Sequence, residues 1–135
     1  MRENILRDKS YSFAISVIKT SEQIIQSKKE YILSKQLIRS GTAIGALIKE
    51  AEFAQSKADF INKMSISLKE ANETLYWISL LKDTSYITEE ASIQLMSVCK
   101  ELISMLVASI KTVKSKLCFF IFHFSFFIRY EYHNK

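Results

Sequence analysis

INKMSISLKEANETLYWISLL, residues 61–81, decides the fold. Ile61, Met64, Leu68, Ala71, Leu75 and Ile78 recur at alternating steps of three and four, which lines them along one face of a helix. Ile66, Glu70, Glu73, Trp77 and Leu80 fall on a second face, nearly opposite the first. A bundle helix with its back to water is polar there. Isoleucine, tryptophan and leucine on that back point to a second buried surface, so these five residues are candidates for an oligomer interface. The simpler reading is scattered exposed apolar residues, which are common.

The same periodicity extends both ways. Upstream, Phe13, Val17 and Ile24, with Ala14, Ile18 and Ile25, predict a helix from about residue 4 to 26. Leu37, Gly41, Ile44, Ile48 and Ala51 predict a second, to about residue 54. The third runs to about residue 82, and Leu95, Cys99, Leu102, Leu106, Ile110 and Val113 predict a fourth, to about residue 116. Start signals separate them. Ser27 with Glu30 and Ser56 with Asp59 read as capping boxes, and Thr88 reads as a cap before Glu89 and Glu90. Four amphipathic helices with short joints predict an all-α, antiparallel up-down-up-down four-helix bundle over residues 1–116. Residues 117–135 form an atypical Phe-rich tail outside that core.

Composition agrees. The 135 residues contain no proline and only two glycines, too few turn residues for a many-stranded sheet. Both glycines, Gly41 and Gly45, lie within the second helix, where each costs roughly 0.5–1 kcal/mol against alanine. Their spacing removes two side chains from one face and predicts a close helix crossing. A phosphate loop is excluded, because neither G-x-x-x-x-G-K-[ST] nor G-x-G-x-x-G occurs. Two cysteines, Cys99 and Cys118, make neither a disulfide framework nor a metal spacing. The opening MRENILRDKSYS has no apolar signal core, so a cytoplasmic location is expected.

QLIRSGT (36–42), EA (50–51), SKADFINK (56–63) and KEANETLYW (69–77), with KSYSFA (9–14), resemble the four-helix bundle protein family, the 23S rRNA intervening sequence proteins. The resemblance covers about residues 5–115. It implies a small bacterial bundle that assembles into rings, commonly pentamers, and no enzymatic activity. Members are often encoded inside insertions of large-subunit rRNA genes. A related branch resembles nucleic-acid-binding accessory proteins of diversity-generating retroelements. This chain departs at Ala43, where serine is usual, and at Leu47, where asparagine is usual.

The residues themselves argue against chemistry. Glu50, Glu70 and Glu73 suggest a carboxylate di-metal bundle, but such sites add Glu-x-x-His pairs, and His123 and His133 lie beyond the bundle. Pairing of the glutamates with Arg39 or lysines is the better reading. No nucleophile–histidine set can be assembled, so no enzyme, metal, cofactor or small-molecule substrate is expected. The net charge of +5 is polarised. In the predicted topology Arg2, Arg7, Lys9, Lys57, Lys111, Lys114 and Lys116 gather at one end against fewer acids, Glu3, Asp8, Glu52 and Asp59. They are the candidate nucleic-acid-binding residues. The reading reached is a homo-oligomeric accessory protein that binds RNA or DNA; the alternative is a protein-interaction scaffold with no nucleic-acid role.

The tail, LCFFIFHFSFFIRYEYHNK, holds six of the nine phenylalanines and shows no helical period. Its apolar run, about residues 117–128, is too short to span a bilayer. It reads as a membrane-surface anchor, as an addition to the oligomer interface, or as an accidental extension translated from A/T-rich DNA. The last is preferred and a membrane partner is not expected. Free in solution it would be an aggregation-prone strand.

Overall fold

A computed structural model describes residues 2–133, with side chains from residue 5 to 119 and for most positions from 121 to 129. Four helices account for nearly all of it: α1 (Arg2–Lys28), α2 (Ile32–Glu52), α3 (Lys57–Asp83) and α4 (Glu89–His133). Each packs on its neighbour in sequence, and α1 meets α4 to close a four-sided ring. The diagonal pairs, α1 with α3 and α2 with α4, do not approach one another. The architecture is therefore the all-α bundle that the periodicity predicts.

The core is a continuous column. Leu6, Phe13, Val17 and Ile24 from α1 meet Leu37, Ile44, Ile48 and Ala51 from α2. Met64, Ala71, Ile78 and Leu81 of α3, with Leu95, Cys99, Leu102, Leu106 and Ile110 of α4, complete it. Steps of three and four bring a side chain to the axis on every turn.

Both glycines sit at the α1–α2 crossing. A Cβ on Gly41 would lie 2.9 Å from each γ-methyl of Val17, and one on Gly45 would lie 3.1 Å from Ser10 Oγ. The joints use none of the glycine. Lys29 (φ 54°) and Ser85 (φ 63°) adopt the left-handed conformation that glycine favours.

Serines let the helices approach as well. Ser10, Ser21, Ser34, Ser40, Ser67, Thr74 and Ser92 are fully buried. Their hydroxyls are satisfied by carbonyls, some across the interfaces. Ser67 Oγ donates to Ile44 O at 2.9 Å, and Ser21 Oγ reaches Ser34 O at 3.4 Å. Thr74 Oγ1 lies 3.0 Å from Ser40 Oγ and 2.8 Å from Glu70 O.

Three expectations need correction. The first concerns Ser27, which caps nothing: it lies in the last turn of α1 and its hydroxyl donates to Gln23 O at 2.6 Å. Glu30 starts α2 instead, accepting the N–H groups of Ile32, Leu33 and Ser34 at 2.9–3.0 Å. These bonds and that of the Ser34 hydroxyl outweigh desolvation, the largest opposing influence, and hold the Glu30 carboxyl below its ordinary value. The other two caps form: the Asp59 N–H donates to Ser56 Oγ at 3.0 Å and the Ala91 N–H to Thr88 Oγ1 at 3.1 Å.

The second concerns α3. Its buried set is Met64, Ser67, Ala71, Thr74, Ile78 and Leu81, while Ile61, Leu68 and Leu75 are half-buried. At 3.6 residues per turn the helix is rotated by roughly 50° from the apolar seam. The third concerns the tail. α4 does not end near residue 116 but continues unbroken to His133, so the tail is a helix and not a strand.

Candidate nucleic-acid interface and subunit surface

The bundle topology brings the start of α1, the α2–α3 joint and α4 beyond residue 100 to one end. Arg7 reaches Glu52 across the α1–α2 crossing at 3.8 Å and Asp8 at 3.5 Å. Lys9 pairs with Glu101 across the α1–α4 seam. Lys57 opens α3, exposed, on the same end, while the side chain of Arg2 lies outside the described residues. Lys111, Lys114 and Lys116 differ. All three are exposed and none enters an ion pair among the described residues. At 1.5 Å per residue they lie about 15–22 Å along α4 from Glu101, so they project past the end of α1. Arg7 and Lys9 are thus neutralised by local acids, and Lys111, Lys114 and Lys116 form a free collar on α4.

The other candidate surface is the flank of α3 beside α2. The rotation of α3 turns Ile66, Glu70, Glu73, Trp77 and Leu80 from the back of the helix to this flank. Arg39 of α2 spans it, with Nη1 3.2 Å from Glu70 Oε2, Nη2 on Glu73, and Nε donating to Gln36 Oε1 at 3.1 Å. The bond to Glu73, with both carboxylate charges, raises the guanidinium pKa further against desolvation. Glu50 pairs with Lys63 at 3.1 Å. The three glutamates thus form two separate cation pairings, and no group of three His, Cys, Asp or Glu converges among the described residues.

On this flank Trp77 packs on the core and meets the Tyr76 ring edge-on at 5.1 Å. The indole Nε1 of Trp77 is buried with no hydrogen-bond acceptor. Periodicity gave no hint of this orphan donor. A second exposed apolar stripe, Tyr11, Ile15 and Ile18, runs along α1 at steps of four and three. It lies on the outer edge of the very segment from which the helix 1 seam is read, and an apolar count does not separate the two.

The sequence profile of the family described as 23S rRNA-intervening sequence protein matches residues 2–108. Among proteins of curated function none matches. A crystal structure of a protein of unknown function from the S23 ribosomal protein family of Bacteroides thetaiotaomicron is similar throughout the bundle. It is 48% identical over 82% of this chain and 99% of that one, with a TM-score of 0.81. Profile, fold and sequence identity converge, and the chain belongs to the 23S rRNA-intervening sequence protein family.

Proposed function

We propose that this protein is a non-enzymatic, self-associating bundle whose basic end binds nucleic acid. The observation that carries the reading is the free collar of Lys111, Lys114 and Lys116, exposed and in no ion pair among the described residues. A single collar holds a phosphate backbone weakly. A ring of subunits, of the five-fold size that the resemblance implies, would repeat it around an axis and add the contacts together.

Fluorescence anisotropy with structured RNA and with duplex DNA at about 50 mM salt, where phosphate contacts are strong, tests the reading. Binding shows little sequence preference. If each lysine neutralises one phosphate, a fourfold rise in salt weakens the hold of one collar about fortyfold, and the loss steepens as more collars engage. Reversal of the three lysines to glutamate abolishes it with the oligomer intact. An intact oligomer that binds neither probe refutes the proposal.

A scaffold role without nucleic acid is the second reading. The exposed Tyr11–Ile15–Ile18 stripe favours it, because an exposed apolar stripe suits a protein partner. Light scattering of the wild type and of Ile15→Glu measures the self-association that both readings require.

A further inference from the structure

Past Lys116, α4 leaves the bundle without leaving the helix. Phe119, Ile121, Phe122, Phe126 and Ile128 are 51–70% exposed, and in sequence the apolar residues of 117–128 fall on every side of the helix. Within residues 117–128 only His123 and Ser125 are polar. Such a segment has no single stripe of the kind a two-stranded coiled coil requires, and its apolarity all round suits a non-aqueous environment. Being helical, it satisfies its own backbone and can enter lipid, which an unpaired strand cannot.

Length and charge define the mode. By length and composition Glu89–His123 is long and apolar enough to cross a membrane. Its first half is committed elsewhere, because Leu95, Cys99, Leu102 and Leu106 are buried in the bundle core. The free run of residues 117–128 is about 18 Å long against a hydrocarbon core of about 30 Å. Cations stand at both ends, with Lys111, Lys114 and Lys116 before it and Arg129 after it, all exposed. Both ends therefore belong at the headgroups, and the run between them lies along the boundary with the acyl chains. The cations match anionic headgroups.

We propose that residues 111–129 dock the bundle on the surface of an anionic phospholipid membrane, with Phe119 and Phe122 inserted and the lysine collar on the lipid phosphates. The proposal is independent of the nucleic-acid reading, although the lysines serve both. The phenylalanines separate the two.

Flotation of the full chain with vesicles tests it, using phosphatidylcholine alone and phosphatidylcholine with phosphatidylglycerol. The chain floats with the anionic vesicles. Replacing the three lysines by glutamine weakens that binding about a hundredfold. The double variant Phe119→Ala/Phe122→Ala, which leaves the charge unaltered, reduces the bound fraction at least about tenfold, while its circular dichroism and its RNA affinity stay unchanged. A wild-type chain that remains at the bottom of the gradient with both vesicles overturns the proposal, as does a phenylalanine variant that floats like the wild type. Concentration-dependent association that the phenylalanine variant abolishes, with no flotation, also overturns it and makes a second copy the occupant.

Discussion

Gly41→Ala is a sharp test of the packing at the α1–α2 crossing, because two effects of known size oppose each other there. Alanine in a helix interior is favoured over glycine by about 0.8–1.0 kcal/mol. Against this, the new Cβ would stand 2.9 Å from both γ-methyls of Val17 and 3.3 Å from its Cβ. Ordinary carbon contacts begin near 3.5 Å, so the overlap is about 0.6 Å on two atoms at once. Val17 is completely buried and β-branched, and a helix leaves it essentially one rotamer. The valine cannot swing aside, so α1 itself must move. Overpacking of this kind costs about 1–3 kcal/mol, and the net effect is a loss of about 1 kcal/mol. Val17→Ala removes the obstructing methyls at a cost of its own of about 2 kcal/mol. The double variant is expected to be more stable than the sum of the singles by about 1–3 kcal/mol. Urea denaturation followed by far-ultraviolet circular dichroism, at one fixed protein concentration, measures all four corners. A higher midpoint for Gly41→Ala, with effects additive within about 0.5 kcal/mol, would refute the close-crossing argument. Gly45→Leu, over Ser10, is expected to lose about 1–3 kcal/mol or to change the oligomer size.

Other expectations follow from single residues. The Glu30 carboxyl is held below its ordinary value, so its contribution is fully present above that value and fades as pH falls through the lowered one. Glu30→Gln should cost about 1 kcal/mol at pH 7 and flatten the acid arm of a stability–pH profile; an unchanged profile would rule out the cap. Burial pushes the Cys99 thiol up to about 12, and its Sγ lies 3.3 Å from Ala71 O. At pH 8 a thiol reagent should therefore titrate the exposed Cys118 at once and Cys99 only on unfolding; rapid modification of both would contradict the packing of α4. A chain ending at Lys116 should keep its bundle with a stability change within about 0.5 kcal/mol, since the tail side chains described are exposed apart from the half-buried Leu117. Loss of its helical spectrum would place the tail in the core.

The helices were legible because their apolar residues keep step with the helical turn and because Ser56 and Thr88 stand where caps belong. The rotation of α3 was not. A count of apolar residues treats Ser67 and Thr74 as surface, yet each folds its hydroxyl onto a carbonyl and becomes a small interior residue. Leu68 and Leu75, larger and more apolar, are left half-exposed on the flank opposite Trp77. Ser27 misled for a related reason: a serine three before a glutamate has the pattern of a capping box, but α1 runs through it to Lys28 and leaves Glu30 to cap alone. The tail had no period to find, because its apolar residues occupy every side. It also lacks glycine and proline, so nothing in it stops a helix already nucleated upstream. At the basic end, the residue types were legible but not their partners. Neutralisation by Glu52 and Glu101 depends on which turns of two antiparallel helices fall level.

The closed ring has a consequence for how the molecule opens. Three of its seams join helices adjacent in the chain and close short loops. The fourth, α1 with α4, is the thinnest and joins residues as far apart as Lys9 and Glu101. Most contacts therefore form locally, which favours fast folding, and this long-range seam gains least per unit of loop entropy. It should close last and open first, with α1 and α4 amides exchanging with solvent before those of α2 and α3. Because α4 also carries the tail, tension applied beyond residue 117 bears on the seam least able to resist it.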